Sequence, residues 1–73
     1  MQVITEEKLQ NWFTYHSPGN EQLAYYLAIR EAGLAFARVI VANTPPCADQ
    51  TAAVRKVREA VMTANQSIAC GGE

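Results

Sequence analysis

The sequence predicts an all-α fold: a short N-terminal helix, followed by an antiparallel hairpin of two long helices. Residues 20–43 and 48–69 are long stretches with apolar residues at helical spacing and without proline. Between them, Pro45 and Pro46 must break the helix, because proline cannot continue an ordinary one. A chain of 73 residues forms one domain, and we assign residues 1–73 to it.

The first predicted helix covers about residues 5–13. Thr5 is a suitable N-cap, and Glu6 and Glu7 place acidic groups in the first turn, where the helix dipole favours them. Its apolar residues are Ile4, Leu9, Trp12 and Phe13. We expect this helix to lie across the hairpin as a lid, with Trp12 and Phe13 as anchors in the core.

A turn cluster, Thr14–Gly19, separates the first helix from the second. An aromatic ring and an imidazole on such a loop, here Tyr15 and His16, are well placed to meet a ligand. The alternative is a Tyr15 ring packed on the hairpin and a His16 side chain in solvent. The sequence leaves both interpretations open.

The second predicted helix, residues 20–43, is about 36 Å long at 1.5 Å per residue. Its apolar residues fall on two sides rather than on one stripe. One side carries Tyr25, Ile29, Ala32, Phe36, Val39 and Ile40; the other carries Leu23, Leu27, Leu34 and Val41, with Arg30 among them. A second apolar side indicates either burial against another chain or a helix covered on both sides by its own chain.

The third predicted helix, residues 48–69, begins with Asp49 in its first turn and ends at Gly71 and Gly72. One stripe should face the second helix: Val54, Val57, Val61, Ala64 and Ile68. Beside that stripe lie Thr51, Arg58, Met62, Asn65 and Ala69. Polar groups at a buried margin need partners. Arg58 and Asn65 therefore either hold a polar group between chains or, for Arg58, pair with Glu31 or Glu59.

Composition and charge limit the possible functions. The formal net charge of −1 argues against a protein that coats long nucleic acid. Five of the six basic residues nevertheless fall between positions 30 and 58, an excess that suits a small anion. Apolar residues make up 49% of the chain, but many are alanines, so a domain this small is expected to need oligomerisation for stability.

The same sequence offers little for catalysis. It has one histidine, no glycine-rich phosphate loop and no metal-binding spacing of cysteines, so we predict a binding protein with no enzyme activity, cofactor or metal. Cys47 and Cys70 would stand about 34 Å apart along one helix, so we expect free thiols. Without a signal peptide or an 18-residue apolar run, we expect a soluble intracellular protein without membrane association.

Four segments carry a resemblance to a known family: NWFTYHSP, YYLAIREAG, NTPPCADQTA and VRKVREAVMTANQSIAC. Together they cover nearly the whole chain. They resemble the small phage-encoded cyclic-nucleotide sponges that block CBASS immunity, and their relatives that block Thoeris immunity. The resemblance implies a helical hairpin assembled as a homohexamer, which sequesters signalling nucleotides uncleaved in the host cytoplasm.

The resemblance also implies site residues. In the family, a tyrosine after the first helix and a lysine fifteen residues later bind cyclic dinucleotides; Tyr15 and Arg30 keep that spacing here. Arginine retains the charge but presents a planar fork suited to phosphate. The family's second pocket, for cyclic trinucleotides, uses an arginine near the C-terminus, where this chain has Gln66. We place Arg58 and Asn65 there instead, from the helical wheel.

The sequence therefore favours a homo-oligomeric sponge. Its candidate ligand-binding residues are Tyr15, Arg30, His16, Phe13, Arg58 and Asn65. Candidate ligands are cyclic dinucleotides, cyclic trinucleotides and cyclic ADP-ribose isomers. The alternative is a small helical protein-interaction module, such as a phage regulator that binds a host protein through the second apolar side.

Overall fold

The structure is a computed structural model, and it describes residues 3–73. Three helices occur in this range, with no strand: α1 (Glu6–Trp12), α2 (Asn20–Asn43) and α3 (Ala48–Ala69). The two long helices pack against each other, which confirms the predicted all-α hairpin. The bounds of α2 and α3 agree with the sequence prediction.

Helix α1 is one residue shorter at each end than predicted. Thr5 adopts an extended conformation and acts as the N-cap, its Oγ1 accepting a hydrogen bond from the Lys8 backbone N–H at 3.1 Å. Phe13, with φ −104° and ψ 11°, has left the helical conformation. Both end residues are therefore caps rather than helical residues.

The ends of the hairpin are fixed by directed hydrogen bonds. Between α2 and α3, the Gln50 Nε2 group donates to the Thr44 main-chain oxygen at 3.1 Å and to its Oγ1 at 3.0 Å. Beyond α3, Gly71 and Gly72 have φ angles of 66° and 80°, and the Gly72 N–H donates to the Ser67 oxygen at 2.9 Å. This Schellman turn ends α3 where the glycines predicted it and folds the following chain back towards α1.

The contact between α2 and α3 forms a narrow seam. On α3, the half-buried residues include the whole predicted stripe. On α2, they are Gln22, Tyr26, Ile29, Gly33, Ala37 and Ile40. At 100° per residue this row runs between the two apolar sides identified in the sequence, and it includes Ile29 and Ile40 from the edge of the first side. A small residue, Gly33, lies at its centre, against Val57 and Val61.

Both apolar sides of α2 remain exposed beside the seam. Leu27 and Leu34 on one side are each 51% exposed, and Phe36 and Val39 on the other are 58% and 57% exposed. The alternative in which the chain covers both sides of its own long helix is therefore wrong. A single thin partner helix can shield only the strip that it touches.

A single protomer has almost no core. Among residues 3–73, Cys70 is the only buried residue, at 7% exposure. The surface area is 6049 Å², whereas a self-contained 8.0 kDa domain exposes about 4,450 Å². The radius of gyration, 15.3 Å, likewise exceeds the roughly 11 Å expected for a compact chain of this length.

The expected anchoring role of Trp12 and Phe13 is wrong for Phe13 and incomplete for Trp12. Phe13 is 85% exposed and lies on the outer side of α1 with Leu9 and Gln10. Trp12 is 36% exposed, and its indole N–H donates to the Glu73 main-chain oxygen at 3.1 Å. Helix α1 has only seven residues and buries none of them, so polar contacts hold it in place.

Both cysteines are free, as predicted; Cys47 is exposed and Cys70 is buried. Within residues 3–73, no helix combines the length and the apolar character needed to cross a membrane.

Candidate functional site

A hollow of about 370 Å³ lies where the loop after α1 meets the hairpin. We call it the loop hollow. Three elements line it: Trp12, Thr14, Tyr15 and His16 from α1 and its loop, Tyr26 from α2, and Met62, Asn65, Gln66 and Ala69 from α3. The loop hollow is thus lined by aromatic rings, a thioether and side-chain amides.

The loop wall consists of an exposed ring supported by a fixed imidazole. Tyr15 is 82% exposed. His16 is half-buried, and its Nε2 donates a hydrogen bond to the Asn11 main-chain oxygen at 2.8 Å, which ties the loop to α1. The alternative of a packed Tyr15 and a solvated His16 is therefore wrong. Tyr15 is thus exposed on the loop, and the next residue, His16, is hydrogen-bonded to α1.

The hairpin wall is formed by Tyr26, Met62 and Asn65. Tyr26 and Asn65 are half-buried, whereas Met62 is 60% exposed. The Asn65 Oδ1 atom is shielded from solvent and has no hydrogen-bond partner among the described residues. Leaving a buried amide oxygen unpaired costs about 1–3 kcal/mol of folding free energy. The Asn65 oxygen is therefore available to accept a hydrogen bond from a ligand.

Arg30 and Arg58 border the loop hollow without lining it. Arg30 follows Tyr26 by one helical turn on α2, and Arg58 precedes Met62 by one turn on α3, so each lies next to a lining residue on the same side of its helix. Both arginine residues are exposed. Because α2 and α3 are antiparallel and pack along one seam, these two positions fall on the same face of the hairpin.

Arg58 also lines a second hollow further along this face. That hollow measures about 310 Å³ and includes Val41, Thr51 and Arg55. No salt bridge within 4.0 Å joins Arg58 to Glu31 or Glu59 in the described part of the chain. The charge of Arg58 is therefore not neutralised by either of the acids considered from the sequence.

The structure thus sorts the six candidate residues into three groups. Tyr15, His16 and Asn65 line the loop hollow. Arg30 and Arg58 stand beside it. Phe13 lies elsewhere, in a shallow hollow with Glu6, Leu9, Gln10 and Thr14 on the outer side of α1.

Six lining residues were not among the candidates: Trp12, Thr14, Tyr26, Met62, Gln66 and Ala69. Tyr26 could have been found from its spacing, because it lies one turn before Arg30. Trp12 was interpreted as a core anchor, although an indole N–H that needs a partner favours a half-exposed position. Gln66 was noted only as the residue at the place of the family's arginine, and its contact with Trp12 depends on the position that α1 takes.

The opposite face of the hairpin carries an apolar groove of about 560 Å³. It is lined by Ile29, Ala32, Gly33, Phe36 and Ile40 of α2 and by Ala53, Lys56, Val57, Ala60, Val61 and Ala64 of α3. Small residues on α3 make the groove wide, and Phe36 is its largest side chain. The two faces therefore differ: one combines exposed leucines with aromatic and cationic residues, and the other is almost wholly apolar.

Comparison with known proteins gives one match. The model of a protein family described as "Acb2/Tad1, hairpin domain" matches residues 5–69, which include all three helices and the loop hollow. Searches of curated proteins and of solved structures find no match.

Proposed function

Because the chain belongs to the Acb2/Tad1 hairpin family, the family of anti-CBASS and anti-Thoeris sponges, we propose that it binds cyclic dinucleotides at the loop hollow and sequesters them uncleaved. The family implies the general role, a phage anti-defence protein that binds cyclic nucleotides. We propose the ligand class from the resemblance to the family, and the residues below from that resemblance together with the geometry of the site.

The observation that carries this proposal is the position of Tyr15. Its ring is 82% exposed at the edge of a hollow that also contains the Tyr26 ring. Stacking on an aromatic side chain stabilises a nucleobase by about 1–3 kcal/mol and requires only that one face of the ring be free. Asn65 can contribute selectivity, because rotation of its amide would turn the unpaired oxygen towards a base N–H.

The phosphates are assigned to Arg30, with Arg58 as a second cation. Arg30 stands one turn beyond Tyr26, so a base in the loop hollow would leave its phosphate beside this guanidinium group. Arginine binds phosphate in a bidentate geometry that lysine cannot reproduce. This arrangement matches a ligand in which bases and phosphates alternate.

One protomer does not enclose such a ligand. At about 370 Å³ the loop hollow lies at the small end of the usual range for ligand pockets, roughly 300–1,000 Å³. A ligand with two bases and two phosphates overhangs it. We therefore propose that a second copy of the chain completes the pocket.

The surface area supports assembly independently. The protomer exposes roughly 1,600 Å² more than a self-contained domain of its mass. A standard interface buries about 800 Å² on each partner, so the excess corresponds to two interfaces per chain. We assign one to the apolar groove and one to the Leu27 and Leu34 face, and propose a closed assembly, a homohexamer by resemblance to the family.

Cyclic trinucleotides and cyclic ADP-ribose isomers are further candidate ligands, and the second hollow with Arg55 and Arg58 is the place we assign to the larger of them. As a phage-encoded inhibitor of a signalling pathway, the protein would act in the host cytoplasm.

Thermal unfolding with a panel of ligands tests the proposal. The panel contains cyclic dinucleotides, cyclic trinucleotides, cyclic ADP-ribose isomers and the matching linear mononucleotides as controls. Ligand at a hundredfold excess over its dissociation constant stabilises the folded state by about 2.7 kcal/mol. A sponge gains stability with cyclic ligands only. A protein-interaction module would be indifferent to the whole panel, and that result would refute the proposal.

A further inference from the structure

We propose that Gln66 is a positioning residue of the binding site: its side-chain amide fixes Trp12, and Trp12 with Tyr15 frames the loop hollow. The inference rests on the function proposed above and deepens it. It concerns the contacts that fix the position of α1 relative to the hairpin. Helix α1 and its loop form one wall of the loop hollow, and the hairpin forms the other.

Hydrophobic packing cannot fix the position of α1 on the hairpin. Helix α1 buries none of its residues, and Leu9 and Phe13 remain exposed at 37% and 85%. A seven-residue helix is also too short to be stable alone. Its position therefore depends on a few directed contacts with the end of α3.

Gln66 makes the contact nearest to the site. Its Nε2 group donates to the Trp12 main-chain oxygen at 3.3 Å and contacts the Cys70 Sγ atom at 3.0 Å. One amide thus joins the last residue of α1 to the last turn of α3. In addition, the Asn11 Nδ2 group donates to the Cys70 main-chain oxygen at 3.2 Å.

The indole ring of Trp12 is held separately. The Schellman turn at Gly71 and Gly72 brings the Glu73 main-chain oxygen to the indole N–H, at 3.1 Å. Trp12 is therefore fixed at its backbone by Gln66 and at its ring by Glu73. Both contacts come from the same end of α3.

This arrangement matters because Trp12 and Tyr15 share the lining of the loop hollow with Tyr26 and Met62. The hairpin fixes Tyr26 and Met62, whereas α1 and its loop carry Trp12 and Tyr15. Loss of the Gln66 contact frees α1 to shift, which changes the width of the space between the two walls. A ligand that must meet both walls then binds less tightly.

The test uses Gln66→Met, which keeps the length of the side chain and removes its donor. The fluorescence of Trp12, the only tryptophan, reports its environment without ligand. We expect a red-shifted emission and greater quenching by acrylamide, together with a loss of cyclic-dinucleotide affinity of about two- to tenfold.

Asn43→Leu is the matched control. Asn43 Nδ2 also donates one hydrogen bond to a main-chain oxygen, that of Val39 at 2.7 Å, but at the far end of α2. We expect this variant to keep the parental Trp12 emission and ligand affinity.

A double-mutant cycle with Tyr15→Ala separates positioning from a direct contact between Gln66 and the ligand. If Gln66 acts through the loop, its loss costs less affinity in the Tyr15→Ala background than in the parent. Fully additive losses, or an unchanged Trp12 emission in Gln66→Met, would refute the inference. If the parent binds no ligand on the panel, the proposed function fails, while the ligand-free emission still decides whether Gln66 fixes Trp12.

Discussion

Gly33 approaches Val61 so closely that a Cβ atom at position 33 would stand 2.5 Å from the Val61 Cγ2 atom. This contact lies at the centre of the seam, where the two long helices cross. A glycine inside a helix costs about 1 kcal/mol relative to alanine. The close approach of α3 is the physical reason for a glycine at this position.

Gly33→Ala is expected to destabilise the hairpin despite the gain in helix propensity. The added methyl group must displace the branched side chain of Val61, and overpacking of this kind costs about 1–3 kcal/mol. The net loss should therefore be roughly 0–2 kcal/mol. Urea unfolding followed by circular dichroism, at one fixed protein concentration, measures it.

The matched background is Val61→Ala, which removes the obstructing methyl groups. There, Gly33→Ala should stabilise the protein by about 1 kcal/mol, because only the propensity term remains. A change of sign between the two backgrounds is the expected outcome. If Gly33→Ala were equally destabilising in both, the seam would not depend on this contact.

The exposed leucine face of α2 leads to a prediction about assembly. Light scattering coupled to size exclusion should find several chains per particle at micromolar concentration, and six if the family resemblance holds. Leu27→Glu and Leu34→Glu, each at a residue 51% exposed in the protomer, should reduce the particle size, because a buried unpaired carboxylate costs several kcal/mol.

The control is a glutamate substitution at an exposed position outside both apolar faces. Ala35→Glu, on the side of α2 away from the seam, should leave the particle mass unchanged. A parent protein that runs as a monomer would contradict the assignment of the excess surface to interfaces.

The helices could be predicted from the sequence because their signals are local. The N-cap at Thr5, the prolines at 45 and 46 and the glycines at 71 and 72 each act on neighbouring residues, and each ended or began a helix as expected. The stripe on α3 was equally clear, since it has a single apolar face.

The residues of α2 that pack on α3 were harder to predict, because α2 has two apolar sides. The row that packs on α3 contains Gly33 and Ala37, whose small side chains contribute little to an apolar pattern but permit close approach of the helices. The more apolar positions, such as Leu34 and Phe36, stay exposed. Hydrophobic periodicity therefore marked positions that the single protomer leaves exposed, and it did not identify the row that packs on α3.

The candidate site likewise contains residues that the sequence could predict and residues that it could not. Tyr15 and Asn65 could be placed by the loop signal and the helical wheel, whereas Trp12 and Gln66 could not. Their contact spans 54 positions of sequence and depends on the fold of the C-terminal turn. Phe13 was expected to anchor α1 in the core, but it is 85% exposed, because apolar character alone does not decide which side of a helix packs.

Bound nucleotide should be released unchanged. His16 is the only histidine, and among residues 3–73 no carboxylate lines the loop hollow with it to orient it as a general base. Protein incubated with a cyclic dinucleotide, washed and heat-denatured should return the intact cyclic compound by mass spectrometry. A linear product that accumulates over hours in the presence of parent protein, and not of Tyr15→Ala, would show cleavage instead.

Tyr15→Ala is expected to weaken cyclic-dinucleotide binding by about 1–3 kcal/mol, the range for loss of one stacked base. The residue is 82% exposed and contributes little to the fold, so the variant should assemble as the parent does. Calorimetry on particles of verified mass measures the loss. Parental affinity in this variant would move the dinucleotide site away from the loop hollow, and Arg55 and Arg58 in the second hollow would be tested next.

Arg30→Ala should cost more affinity than removal of an ordinary surface charge, because a charge-assisted hydrogen bond to phosphate is stronger than a neutral one. Arg30→Lys should be the milder change, since it keeps the charge and loses only the bidentate geometry. The control is Arg38→Ala on the same helix, two turns further and rotated away from the loop hollow. Equal losses for Arg30→Ala and Arg38→Ala would mean that bulk charge, rather than a phosphate contact at Arg30, attracts the ligand. A steep salt dependence shared by both variants would point the same way.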